Sequence, residues 1–210
     1  MPRRALLVID VQNEYFDGNL PIEHPPVAGS LPRILQAMDA AQAAGVPVVV
    51  VQHLAAEDAP VFAAGSHGAA LHPQVVARPH ALSLEKRQAS AFAGTGLHAW
   101  LAERGIDTLA IAGYMTHNCD VSTALDARQA GLQVEFLADA AGSLPYANAA
   151  GQASAEEIHR IFSVVLHSNF AAVTGTAAWI EALEHGTALE PDNVFLSNLR
   201  ARQARGESRE

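Results

Sequence analysis

Apolar residues along this chain fall into two kinds of pattern. Short unbroken runs occupy Ala5–Asp10, Pro47–His53, Thr108–Gly113, Gln133–Ala138 and Ala171–Thr174, and each is aliphatic or β-branched in character. None alternates with period two, which is the signature of strands covered on both faces. Between them lie longer amphipathic stretches, Leu31–Ala44, Leu97–Arg104, His117–Ala130, Ala155–His167 and Ala177–His185, which predict helices. Gly45, Gly105 and Gly131 each follow such a stretch, where a left-handed C-terminal cap is expected. Ser154 and Glu157 have the spacing of a capping box ahead of Ile158. Strands alternating with helices predict right-handed crossovers. The fold class that follows is α/β: a three-layer sandwich with a central, mainly parallel sheet and helices on both faces.

Two connections depart from the short-loop norm. Val11–Ser30 carries Gly18, Pro21, Pro25 and Pro26, and Leu54–Leu82 carries Pro60, Gly65, Gly68, Pro73 and Pro79. Compact domains join elements with about 4–6 residues, and longer irregular loops are usually functional or disordered. Both loops leave the carboxyl ends of predicted strands, the edge where open α/β sheets place ligands, so both are expected to wall a site or close over it. From Ser197 the chain turns polar. Residues 1–196 therefore read as one domain and 197–210 as a polar tail that frays.

Composition narrows the function. Half of the 210 residues are hydrophobic, enough for one domain with its own core. The formal charge of −9 argues against a general nucleic-acid surface, which needs a basic face. The apolar run after Met-Pro-Arg-Arg is too short for the core of a signal peptide, and no stretch has membrane-spanning length, so a cytoplasmic protein is expected. The one cysteine, Cys119, excludes an internal disulfide and a Cys-rich zinc site. Twelve of the 13 basic residues are arginine, which makes the one lysine, Lys86, conspicuous.

Three polar residues occupy positions where chemistry is done. Asp10 ends the first strand, at the edge where a partly desolvated carboxylate has a raised pKa; its plain alternative is a loop cap. Cys119 falls near the start of the His117–Ala130 helix, directly after a strand. A helix N-terminus favours thiolate and offers N–H groups to a developing oxyanion, while a small buried hydrophobe is the other reading. Lys86 closes the short extended stretch Ala81–Glu85, either as a positive centre beside these two or as a solvated surface lysine.

The three lie in Val-Ile-Asp-Val-Gln-Asn, in Glu-Lys-Arg-Gln-Ala-Ser-Ala-Phe-Ala-Gly-Thr and in Gly-Tyr-Met-Thr-His-Asn-Cys-Asp-Val-Ser-Thr-Ala. In order and spacing these motifs closely resemble the isochorismatase-like cysteine hydrolases, a superfamily that includes nicotinamidases and N-carbamoylsarcosine amidases. The resemblance runs from about Ala5 to Leu183. It implies an Asp-Lys-Cys triad at Asp10, Lys86 and Cys119, and a cis peptide between Tyr114 and Met115. It also implies an oxyanion hole from the backbone N–H groups of Met115 and Cys119. The activity implied is hydrolysis of an amide or carbamoyl C–N bond of a small molecule through a thioester. Gln12, Phe16, His53, Tyr114, Thr116 and His117 flank the triad and are the candidates for substrate contact, with Tyr114 equally able to point into the sheet. A homo-oligomer, dimer or tetramer, is expected from the same resemblance.

Two features depart from the pattern. Asp120 follows the cysteine where a small aliphatic residue is usual, and is expected to face away from the site in the first turn of the helix. Val51-Gln52-His53 lacks the metal-binding Asp of nicotinamidases, and His53, His67, His72 and His80 fit no compact ligand motif, so no metal or cofactor is expected. Vinyl-ether hydrolysis of the isochorismatase type, which uses the Asp without the Cys, is the second enzymatic reading. A thiol-sensing or binding protein on the same scaffold is the third.

Overall fold

The structure, a computed structural model, describes residues 1–206. In chain order the first half comprises β1 (Arg4–Ile9), α1 (Val27–Ala43), β2 (Val48–His53), α2 (Pro73–Val76), β3 (Leu82–Lys86), α3 (Leu97–Glu103) and β4 (Thr108–Tyr114). Next come α4 (Val121–Gln129), β5 (Gln133–Gly142) and the small strands β6 (Tyr146–Asn148) and β7 (Gly151–Ala153). The chain continues through α5 (Ala155–Val165), β8 (Ala172–Thr174), α6 (Thr176–Glu184) and α7 (Val194–Ala204).

Six strands form one sheet in the order β3-β2-β1-β4-β5-β8, and every neighbouring pair in it is parallel. This is the expected α/β sandwich. The unbroken apolar runs are explained by burial on both faces: Leu6 and Val8 of β1 pack with Ile34 and Met38 of α1 and Trp179 of α6. Leu7 and Ile9 pack on the other side with Leu97 and Leu101 of α3 and Ala124 and Ala127 of α4. Each such aliphatic side chain contributes about 1.5–3 kcal/mol on burial.

Local signals act where chemistry places them. Ser154 Oγ accepts the Glu157 N–H at 3.2 Å and Glu157 Oε2 accepts the Ser154 N–H at 2.9 Å, closing the capping box of α5. The three helix-ending glycines all take positive φ. Five differences from the sequence reading have physical causes. The helix expected over Leu31–Ala44 starts earlier, at Val27, where the Pro26 carbonyl accepts the N–H groups of Gly29 and Ser30. The stretch before Lys86 is a full edge strand, paired with β2 from Val49↔Leu82 to His53↔Lys86. β5 runs on to Gly142 past an irregularity between Ile111 and Gly113 in its pairing with β4. The antiparallel β6–β7 hairpin follows it, in a segment that carries no strand pattern. Finally, the polar segment from Ser197 is mostly helical: α7 begins at Val194, with the Asn193 side chain accepting the Leu196 N–H. The remainder of that segment, 207–210, lies outside the described residues.

The two long loops are laced together over the carboxyl edge of the sheet. Asn13 N–H donates to Ala70 O, Glu14 N–H to Gly68 O and His72 N–H to Val11 O, all at 2.8–2.9 Å. Among the described residues no helix is long and apolar enough to cross a membrane.

Candidate active site

Registry brings the site together. Ile9 of β1 pairs with Val51 of β2 and with Gly113 of β4, and His53 pairs with Lys86, so four strand ends finish on one edge. Asp10 follows β1 with φ of +51°, a left-handed conformation uncommon outside glycine and often found at functional turns. Gly113 has φ of +120°, and a Cβ there would lie 2.0 Å from Ile9 O. Only glycine lets β4 come this close to the residue before Asp10.

After β4 the chain passes the cis peptide between Tyr114 and Met115. It then makes a π-type turn, Thr116–Asp120, before continuing as α4. The Met115 carbonyl accepts both Asn118 N–H (3.0 Å) and Asp120 N–H (3.2 Å), which fixes the turn around Cys119. Such turns recur at functional sites because they re-aim side chains without ending the helix.

The structure places Asp10, Lys86 and Cys119 in one buried cluster, with exposures of 0 %, 2 % and 5 %. Lys86 Nζ lies 2.7 Å from Asp10 Oδ2 as an ion pair and donates to Cys119 Sγ at 3.2 Å and to Gln88 O at 3.1 Å. Its fourth neighbour is His53 Nδ1 at 3.4 Å. Burial raises the Asp10 pKa above the ordinary carboxylate value, against the pull of Lys86. Burial lowers the Lys86 pKa, but Asp10 and then Cys119 outweigh it and raise it above the ordinary value, which favours the charged ammonium. For Cys119, burial and then the Asp10 charge push the thiol up, more than Lys86 brings it down. The low-pKa thiolate expected from the helix start therefore gives way to a thiol whose pKa is raised.

The flanking residues divide. His53 is half-buried beside Lys86, its pKa lowered to about 4 by burial and then by Lys86 and Arg87, so it is neutral near pH 7. His117 is also neutral, lowered to about 4 by burial; its Nδ1 lies 3.0 Å from Ser143 Oγ and its Nε2 2.9 Å from Tyr146 Oη. Phe16 is half-buried against His72 and Tyr114, with ring centroids 4.5 and 6.0 Å away. Gln12 has its amide committed to backbone, donating to His53 O and Ala69 O and accepting His53 N–H, so it fixes His53 and the loop. Thr116 is buried with its hydroxyl on Gly142 O (3.1 Å) and His159 Nδ1 (2.9 Å). Tyr114 points into the core below the sheet, its hydroxyl 2.7 Å from Ser30 Oγ on α1. The sheet-facing alternative for Tyr114 is the one the structure adopts.

Asp120 corrects the sequence reading more sharply. It is fully buried, neither carboxylate oxygen has a hydrogen-bond partner, and burial followed by the Asp10 charge raises its pKa well above normal. The π-type turn carries position 120 inward, so the side chain is a buried carboxyl with a raised pKa and not a solvated first-turn carboxylate.

The loop histidines do not converge. His67 sits on Asp17, His72 caps α2 and His80 meets Ser83. Among the described residues no group of three or more His, Cys, Asp or Glu is arranged to hold a metal ion. Tyr146, Ser143 and His159, which border the site, were not singled out by sequence. The first two lie in or beside the hairpin, whose three-residue strands give no periodic signal.

Comparison with known proteins bears on the family and the fold. Residues 4–178 match the Isochorismatase domain. The chain is similar to a crystal structure assigned to the isochorismatases from Burkholderia xenovorans LB400, with 60% identity, a TM-score of 0.97 and coverage of 98% of this chain and 99% of that one. It is 30% identical over 168 residues to the secreted isochorismatase effector Isc1 of Verticillium dahliae, covering 78% of this chain and 87% of that protein. It is also 29% identical to the ureidoacrylate amidohydrolase RutB of Methylobacterium radiotolerans, covering 85% and 78%. A domain match that spans every strand of the sheet, and a solved relative that superposes along almost the whole chain, make this protein a member of the isochorismatase family of hydrolases.

Proposed function

We propose that the protein hydrolyses an amide or carbamoyl C–N bond of a small molecule through a thioester on Cys119. The observation that carries this reading is the contact of one buried ammonium, Lys86, with both a buried carboxylate and the chain's only thiol, at 2.7 and 3.2 Å. Amidohydrolase activity in the name of a relative covering 85% of the chain supports the same reaction class.

Asp10 takes the Sγ proton as sulfur attacks the carbonyl carbon. The oxyanion so formed is held by the N–H groups of Met115 and Cys119; one such donor is worth roughly 3–4 kcal/mol. Collapse breaks the C–N bond, and Asp10 returns the proton to the departing amine. Asp10 then deprotonates a water that attacks the thioester; sulfur leaves and recovers its proton, releasing the carboxylic acid. Lys86 keeps the paired negative charges together in a site too dry to screen them. Its compact ammonium reaches three acceptors that a planar guanidinium would not.

The reading is tested by screening primary amides, ureas and carbamoyl compounds for amine or ammonia release, with Cys119→Ala as the control. A substrate should appear, its turnover should fall by about 10⁴-fold or more in Cys119→Ala, and a trapped acyl adduct should be seen by mass on Cys119. Turnover of a vinyl-ether substrate that survives Cys119→Ala, with no amine release from any amide, would favour the vinyl-ether type of hydrolysis instead. Reversible oxidation of Cys119 with no acyl adduct from any compound would favour thiol sensing.

A further inference from the structure

The side chain of Tyr146 has no role in the chemistry above, yet it is the hairpin residue tied directly to the nucleophile's turn. Its hydroxyl lies 2.9 Å from His117 Nε2, its ring meets the His117 ring edge-on at 5.0 Å, and His117 Nδ1 lies 3.0 Å from Ser143 Oγ. His117 belongs to the same five-residue turn as Cys119. Burial raises the pKa of the Tyr146 hydroxyl, and a thiolate formed at Cys119 would raise it further. On its outer side Tyr146 lines an open cleft of about 590 Å³ with Pro145, Gln152, Ser154 and Glu157. The phenol therefore stands between this cleft and the turn that carries Cys119.

We infer that Tyr146 is a specificity-determining residue whose hydroxyl, steadied by His117 and Ser143, hydrogen-bonds an uncharged polar group of the substrate beside Cys119. The inference rests on Cys119 being the reacting atom and names what lies next to it. A neutral imidazole between two hydroxyls can present the Tyr146 hydroxyl as donor or as acceptor, according to which ring nitrogen holds the proton. That suits an amide or ureido group, which offers both. An anion is disfavoured here, because the cleft is lined by the Glu157 carboxylate and by no cation. Arg87, exposed and with its charge felt at His53, is an alternative anchor for an anionic group.

Two alkylating probes separate these cases without needing turnover. Iodoacetamide carries a neutral amide and iodoacetate a carboxylate; both form a C–S bond at Cys119 with loss of iodide, the thiol proton passing to Asp10 and then to water. Because the chain has one cysteine, intact mass reports on Cys119 alone. With the rate ratio for free cysteine as reference, the native protein is expected to favour iodoacetamide by about tenfold more. Tyr146→Phe, which removes only the hydroxyl, should erase that excess while the melting temperature stays put. If that variant melts early, His117→Gln, which removes the ring that steadies the phenol, is expected to lower the ratio in the same direction. An excess that survives loss of the hydroxyl, a preference for iodoacetate, or no alkylation by either reagent would overturn the inference. Failure of every amide in the release screen would strike the proposed reaction and leave this preference standing.

Discussion

The sheet carries a buried ion pair at each end, and the two are built to opposite rules. At the amino end, Arg4 of β1 donates from Nε and Nη2 to Glu135 of β5, with contacts of 2.8 to 3.1 Å, and Trp179 Nε1 donates to Glu135 Oε2 at 2.8 Å. Every carboxylate oxygen is satisfied by a donor of fixed direction. At the carboxyl end, Lys86 spreads one ammonium over Asp10, Cys119 and Gln88, and Asp10 Oδ1 has no hydrogen-bond partner. A saturated pair holds two strands to a helix. An unsaturated one keeps acceptor capacity for a proton or a water that has yet to arrive. Satisfaction, not burial, distinguishes the structural pair from the one proposed to react.

Breaking each pair should therefore produce different losses. Glu135→Ala strands the Arg4 charge and leaves Trp179 Nε1 unpaired, and should cost about 3–5 kcal/mol of stability in denaturant titration. Turnover per folded molecule should stay close to native. Equal damage to both would merge the two classes. Lys86→Arg keeps the charge at the other pair, and should lower turnover by roughly a hundredfold, or about 2.7 kcal/mol, with a melting temperature near native. Native-like turnover in that variant would remove Lys86 from the chemistry.

The smallest effect is expected at Asp120. Asp120→Val removes a buried carboxyl with no partner and should stabilise the chain by about 1–3 kcal/mol. The folded chain holds this proton to higher pH than the unfolded chain does, so it binds more protons above the unfolded pKa of about 3.9. Stability should then decline as pH rises through the window between the two pKa values. The advantage of the Val variant should accordingly be least near pH 4 and grow as pH rises above it in thermal melts. A pH-independent difference would mean that Asp120 finds a partner when it ionises.

The parts of the molecule legible in sequence are those whose cause is local or periodic. Val48–Val51 announce a strand buried on both faces, and Ser154 with Glu157 announce a helix start. Asp10, Lys86 and Cys119 could be paired across 109 residues only because their motifs resemble a known pattern. Direction was less legible. The π-type turn shifts the helical phase after Thr116, and that phase sends Asp120 inward. Tyr114 alternates along β4 towards α1, and one slip of the strand would have sent it the other way. Gln12 was expected to meet substrate, but the crossing of the two loops spends its amide on backbone, and no spacing along the chain encodes which loops cross. The β6–β7 hairpin is too short and too exposed to leave a pattern, which is why Tyr146 stayed hidden.

Gly113 gives a criterion for reading other chains. With Ile9 O only 2.0 Å from where a methyl group would sit, β4 and β1 can meet at this register only while position 113 has no side chain. A sequence may carry an Asp, a Lys and a Cys in the right order and still hold a larger residue two places before its own counterpart of Met115. Such a chain would have its first and fourth strands wedged apart at the point where acid and thiol must face each other. Absence of bulk at one backbone crossing is thus as diagnostic of this site as the presence of its three polar groups.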